Sequence, residues 1–318
     1  MTSKQYEKIL CPPQGVVDVI LDTDTYNEVD DQYAVAYMIG KSKKLNIKGI
    51  CAAPFLKPPR STTPAEGMVK SYQEILHVLQ LLEREDLKDL VYRGSDRFME
   101  SETVPVESQA ADYMAKLADD YSSDRPLYIV AIGAITNVAS ALLKNPRMKD
   151  RCVVVWLGGN ATHIPLGGNE FNMKQDIAAA RVVFGCGVPL VHLPCKGVID
   201  RFVTTKQELS YWMAGKNALC DYLYAETVAY VESITKVETW SKVIWDVAAV
   251  AWLLNENNCF MQSVMMPSPI PEYDNCYALD ADRHRICSIN WINRDTLFED
   301  MFRTLTQKRN FEKTRDLL

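Results

Sequence analysis

VILDTDTYNEVDDQYAVAYMI, residues 19–39, decides how the chain is read. It opens on the end of a β-rich apolar run (16–21) and closes on DQYAVAYMI (31–39), which carries a helical pattern. Between the two lie four carboxylates, Asp22, Asp24, Asp30 and Asp31. A strand's carboxyl end is where open α/β sheets bind ligands. Four like charges in one loop repel one another unless a cation, protons or hydrogen bonds offset them. A hard divalent metal is the economical offset, because Ca²⁺ and Mg²⁺ take carboxylate and carbonyl oxygens. Capping of the helix explains one or two of these residues, Asp30 or Asp31, but not all four.

Outward from this stretch, short apolar runs alternate with helical patterns. Strands are expected at 45–53, 90–92, 127–132, 153–157 and 189–193. Helices are expected at 68–79, 109–117, 135–143 and 176–184, from apolar residues recurring at helical spacing. Such alternation predicts βαβ units, hence a doubly wound, mostly parallel α/β sheet flanked by helices. Residues 205–255 read as helical and aromatic-rich, and the stretch after Pro267 as hairpin strands closed by a helix at 294–307. With no repeat, low-complexity tract or linker, a single domain over residues 1–318 is expected.

Composition narrows the class of function. The 318 residues are 47% hydrophobic and 24% charged, which excludes an intrinsically disordered chain. Thirty-five basic against 41 acidic residues, with no basic stripe, argue against a nucleic-acid partner. No apolar run reaches membrane-spanning length, so no membrane partner is expected. MTSKQYEKILCPPQG (1–15) lacks the apolar core of a secretory leader. Nine cysteines without CxxC pairs fit free thiols in a reduced, cytoplasmic setting.

Three further segments carry chemistry. VAIGAITNVASALLKNP (130–146) is a buried strand, a tight Gly133 turn and a helix opened by Thr136-Asn137. Carbonyls at such a strand end are potential metal ligands, although for this segment taken alone a plain strand–turn–helix cap is the better reading. WLGGNATHIPLGGNEFNMKQD (156–176) gathers Asn160, Asn169, Glu170 and Asn172 in a Gly-rich loop suited to a hydroxyl-rich ligand, though Asn and Gly also dominate ordinary turns. KVIWDVAAVAWLL (242–254) places Asp246 ahead of an apolar helical pattern, as an N-cap or as one more carboxylate for a metal. Alone, DTDT also resembles the opening motif of haloacid dehalogenase phosphatases. That superfamily needs a downstream Lys and a separate acidic pair after a later strand, whereas here the pair follows in the same loop and the later strand ends in LGGN.

In order and spacing, the four segments resemble the inosine–uridine-preferring nucleoside hydrolase family. Its opening DxDxxxDD motif is DTDTYNEVDD here, two residues longer. Its GPLTN turn is Gly133-Ala-Ile-Thr-Asn137, and its GN…EFN…DPEAA stretch is Gly159-Asn160…Glu170-Phe171-Asn172…Asp176-Ile-Ala-Ala179. Its late His-Asp helix start is Trp245-Asp246, and the match runs from about residue 16 to 256.

The resemblance implies Ca²⁺ held by Asp24, Asp31, Asp246 and the backbone carbonyl of Ile132. Asp24 would also be the general base. Asp30, Asn160, Glu170 and Asn172 would hold the ribose hydroxyls, Asp22 would support the loop, and Asn27 would add a sugar contact. The implied reaction is hydrolysis of an N-riboside to ribose and free base, by a homodimer or homotetramer acting on a small-molecule substrate.

Three departures fall on the leaving-group side. Trp245 replaces the family's His, and a Trp there would stack on a leaving group. The family's AGN segment reads Ala53-Pro54-Phe55-Leu56, and its HG segment has no counterpart between Phe98 and Gln109. His163 is the candidate replacement acid, with Tyr222 and Tyr224 weaker ones. Lys57 and Arg60 read as a solvated charged loop, and His77 and His192 as structural. A riboside-binding protein without turnover is the alternative, and a phosphatase the remote one.

Overall fold

The expected alternation is present in the computed structural model, which describes residues 3–307 and 310–311. The single-domain span therefore has residues 1–2, 308–309 and 312–318 outside the described residues. A short helix, α1 (Ser3–Ile9), leads into β1 (Val17–Thr23), α2 (Asp30–Gly40), β2 (Leu45–Ala52), α3 (Pro64–Leu81) and β3 (Val91–Arg93). The chain continues through α4 (Gln109–Leu117), β4 (Leu127–Ala131), α5 (Thr136–Lys144), β5 (Cys152–Leu157), α6 (Phe171–Gln175), α7 (Ile177–Gly185) and β6 (Leu190–Leu193).

The central sheet has eight strands in the order β3-β2-β1-β4-β5-β6-β12-β9, with β12 (Arg285–Ile292) parallel to β6 and β9 (Met261–Pro267) antiparallel to β12. From β1 the chain winds outward through β2 and β3, then returns to place β4 on the other side of β1. That reversal opens a crevice at the carboxyl ends of β1 and β4, the position at which doubly wound sheets bind ligands.

Each face of the sheet has its own core. Val19 and Leu21 of β1 pack with α2, α3 and the C-terminal helices, while Ile20 faces the α4, α5 and α7 side. This is the period-two pattern of strands buried on both faces. Helix α2 is buried along nearly its whole length, which explains why its sequence is apolar all round rather than on one stripe.

Three regions differ from the sequence reading. Helix α1 carries no strong periodicity; it docks by packing Tyr6 and Ile9 on the core and donating the Tyr6 hydroxyl to Arg285 O at 2.8 Å. The 205–255 region is α8 (Lys206–Met213), α9 (Ala218–Ile234) and α10 (Val247–Trp252), with a small antiparallel ribbon, β7 (Val203–Thr205) and β8 (Ser241–Val243), bracketing the first two. The first hairpin strand ends at Pro267 instead of starting after it. Its partner β12 lies beyond a long connection that holds the ribbon of β10 (Ile270–Pro271) and β11 (Tyr277–Ala278), and α11 (Arg294–Thr306) closes the fold. As an edge strand, β9 leaves several residues to solvent, so its apolar alternation is broken.

Phe184 is fully buried on α7, edge-on to Trp156 at 5.8 Å and to His192 at 5.4 Å. Phe184→Ala is expected to lower stability by about 3–5 kcal/mol, read from urea unfolding. A loss under 1 kcal/mol would contradict the packing described.

Candidate active site

The carboxylates of the opening motif form a buried floor, and of the four only Asp30 lines the cleft itself. Asp22, the penultimate residue of β1, accepts Asn137 Nδ2 at 2.8 Å, so the Thr136-Asn137 helix start supports the loop from behind. Asp24 accepts Asn27 Nδ2 at 3.0 Å, and Asp31 accepts the Thr23 hydroxyl at 2.5 Å. One oxygen on each of Asp22, Asp24 and Asp31 has no hydrogen-bond partner among the described residues. Asp246 stands at the N-cap position of α10 but makes no side-chain capping bond, so the capping alternative for this residue falls.

Burial pushes the carboxyls of Asp22 and Asp31 up to about 7, with the Asp30 charge adding to the shift at Asp31. Asp24 rises well above the ordinary carboxylate range through burial and the neighbouring Asp31, and Asp246 through burial and the charges of Asp31, Asp30 and Asp24. These four acids resist ionisation, three of them carry an unpartnered oxygen, and such oxygens are of the kind that hard divalent cations take. Ile132, just past the end of β4, lines the cleft together with Asp246. Among the described residues, no three His, Cys, Asp or Glu side chains already converge as a metal-binding group, so binding a cation would draw the carboxylates together.

Gly133 makes room for this floor. A Cβ there would stand 3.0–3.1 Å from the Asp24 carboxyl carbon, Cβ and Oδ1, tighter than ordinary packing. Trp156 holds the turn by donating Nε1–H to Gly133 O at 3.1 Å.

Above the floor is a cleft of about 220 Å³, onto which Asn27, Asp30, Ile132, Asn160, Glu170, Asn172, Trp245 and Asp246 all open. Asn172 Nδ2 bridges Ile132 O and Leu157 O, both at 3.0 Å, and so ties together the ends of β4 and β5. Asn160 Oδ1 accepts Lys196 N at 3.0 Å. Glu170 caps α6, accepting the backbone N–H groups of Gly159, Asn172 and Met173 at 2.7–3.0 Å. Gly159 has φ +76, a left-handed conformation that favours glycine. His163 is exposed, beside Gly197, and outside the cleft lining. Tyr222 bonds Glu74 and packs edge-on to His77, and His192 is buried against Gly158 O, so these three are structural.

Three basic residues take larger parts than the sequence suggested. Lys242, buried, reaches Glu28 at 2.9 Å and Asp30 at 3.1 Å, and Asp30 also accepts Trp245 N at 3.0 Å. Lys57 is not in a solvated loop: its ammonium contacts Asn27 Oδ1, Glu28 Oε1 and Tyr230 OH at 2.7–3.2 Å. Arg60 likewise donates to Tyr26 O and Glu28 O. Although it is partly buried, Glu28 is held down to about 2 by Lys242 and Lys57. Glu28 sits in the longer loop between Asp24 and Asp30, the one sequence signal that pointed here.

The family model described as inosine-uridine preferring nucleoside hydrolase matches residues 19–285. Among curated relatives, the pyrimidine-specific ribonucleoside hydrolase RihA of Escherichia fergusonii is 26% identical over 264 residues, covering 74% of this chain and 79% of that protein. Among solved structures, the purine-preferring ribonucleoside hydrolase from Gardnerella vaginalis has a TM-score of 0.72 at 18% identity, covering 93% of this chain and 100% of that one. The type III effector protein XopQ, solved in complex with adenosine diphosphate ribose, has a TM-score of 0.63 at 14% identity, covering 98% and 99%. The two structural likenesses speak for the fold.

Two outcomes are expected. Lys242→Met leaves the buried Asp30 carboxylate without its cation and should cost roughly 3–5 kcal/mol in chemical denaturation. The second concerns pH. Asp22 and Asp31 titrate near 7 when folded, against an ordinary 3.8, so the folded state holds more protons between those values and stability falls as pH rises through 7. His192, held down to about 4 by burial, acts in the opposite sense only below its ordinary 6.5. The metal-free protein should therefore gain stability as pH drops from about 8 to 6.5. A loss over that window would contradict the assignment.

Proposed function

The chain belongs to the inosine-uridine preferring nucleoside hydrolase family, a family of N-glycosidic hydrolases, and from that premise we propose a calcium-dependent hydrolase of a ribonucleoside or related N-riboside. The observation that carries the reading is the set of unpartnered carboxylate oxygens on Asp24 and Asp31, whose charges act on Asp246, which opens with Asp30 onto a cleft lined with side-chain amides. Asp24, Asp31, Asp246 and the Ile132 carbonyl would hold Ca²⁺. Bound there, the ion would supply Lewis acidity toward water and a grip on vicinal hydroxyls.

The side chains take the remaining tasks. Asp24 accepts the proton of the attacking water at Oδ1, which no hydrogen bond occupies. Breaking the N-glycosidic bond builds positive charge on the sugar, and the buried carboxylates stabilise it electrostatically. Asn160, Asn172 and Asn27 offer amides to the ribose hydroxyls, while Asp30 and Glu170 offer carboxylates. Trp245 and Phe171 form an aromatic wall for the leaving group. Without the family's His, and with His163 outside the cleft, departure of the base relies on its own electron deficiency. A reduced, cytoplasmic setting is supported by cysteines that are all free thiols.

The test is release of free ribose from purine, pyrimidine and activated ribosides, with Ca²⁺ and after chelation. Ca²⁺-dependent release, fastest from activated ribosides, is expected. Asp24→Asn should lower kcat by roughly 10²–10⁴-fold with the fold retained. Near wild-type turnover in that variant would remove Asp24 from the base role.

A further inference from the structure

The sequence departs from the family pattern in two nearby places, and the structure brings them into contact. One is the loop between Asp24 and Asp30, two residues longer, which carries Asn27 and Glu28. The other is the Pro-rich loop, which lacks the family's AGN and carries Lys57. Lys57 Nζ donates to Asn27 Oδ1 at 3.1 Å, and Asn27 Nδ2 donates to Asp24 Oδ2 at 3.0 Å. The same ammonium is held by Glu28 Oε1 at 2.7 Å and Tyr230 OH at 3.2 Å, and lies 5.0 Å from the centre of the Phe171 ring.

An ammonium has three donors and no acceptor, and all three are engaged here. A side-chain amide has one oxygen face and one NH₂ face. Flipping Asn27 would press its NH₂ on the ammonium and its oxygen on the carboxylate, replacing two attractive contacts with two repulsive ones. Lys57 thus dictates which way the Asn27 amide points. The amide in turn anchors Asp24 Oδ2 and leaves Oδ1 as the free acceptor.

We propose that Lys57, acting through Asn27, is a positioning residue for Asp24 in the hydrolytic step. The inference rests on the reading of Asp24 as general base. Lys57 does not line the cleft; Asn27 does, so the effect of Lys57 passes through the amide instead of through a substrate contact. Small misplacements of a catalytic group are costly in kcat, whereas ground-state binding depends on the rest of the cleft.

The experiment is a double-mutant cycle on free-ribose release, using Lys57→Met, Asn27→Leu and the double variant, with kcat and KM measured separately at saturating Ca²⁺. Each single variant should lose about tenfold to a hundredfold in kcat. KM should stay within about threefold for Lys57→Met, whereas Asn27→Leu also removes a ribose contact and should raise KM; in kcat the double variant should lose little more than the worse single one. Lys57→Arg, which keeps the charge toward Glu28, should recover much of the loss and guards against a folding defect in Lys57→Met; thermal unfolding is followed for every variant. Multiplying losses in the double variant would overturn the relay. So would a raised KM with kcat intact, which would make Lys57 a substrate contact. If the wild type releases ribose and Lys57→Met matches it in kcat, the relay alone fails. No ribose release by the wild type overturns the hydrolytic reading itself, and the relay with it.

Discussion

Negative charge crowded at the end of one buried strand is the constraint on which the rest of the site depends. Asp22, Asp24, Asp30 and Asp31 enter from β1 and the first turn of α2, and Asp246 from the start of α10. Left alone, such a cluster opposes folding, because burial and mutual repulsion both disfavour the ionised forms. The surroundings relieve it unevenly. Asp30 is paired with Lys242, and Asp22, Asp24 and Asp31 each receive a hydrogen bond from Asn137, Asn27 and Thr23 respectively. The oxygens left over on Asp24 and Asp31 have no partner among the described residues, and a positive charge from outside the chain is what we propose would satisfy them.

The fold explains why the charge collects there. The reversal of winding between β1 and β4 opens the sheet's edge at these carboxyl ends, and Gly133 lets the β4 turn approach the Asp24 carboxyl without a side chain in the way. Asn172 then clamps the ends of β4 and β5 by their carbonyls, giving the cleft one rigid wall. The opposite wall is this chain's own. Asn27 and Glu28 of the longer first loop meet Lys57 of the Pro-rich loop, and Trp245 stands where the family has His. On the proposed reading, the ribose side of the site follows the family pattern, and the leaving-group side is rebuilt.

The legible features were those written locally in the chain. The strand–loop–helix with its four Asp residues announces a ligand-binding strand end, and apolar runs place β1 to β6 within a few residues, whereas β12, read only as a hairpin strand, also pairs parallel with β6. Features that depend on distant residues meeting were not legible. Nothing near Lys242 marks it as the counter-ion of Glu28 and Asp30, because that pairing exists only once α9 has returned the chain to the crevice. Lys57 reads as a loop charge for the same reason. Asp246 was open between helix cap and cluster member until the absent capping bond decided against the cap. His163 shares a loop with Asn160, yet the turn points it outward, which adjacency in sequence could not show. The edge strand β9 escaped because exposure had erased its pattern.

The central claim is that the buried carboxylates form a cation site serving a sugar-binding cleft. A crystal structure of the chain grown with Ca²⁺ and ribose tests it most directly. The account predicts an ion about 2.3–2.6 Å from carboxylate oxygens of Asp24, Asp31 and Asp246 and from the Ile132 carbonyl, with ribose hydroxyls completing its shell. Ribose bound with no ion, and the carboxyls paired with one another through shared protons, would contradict it.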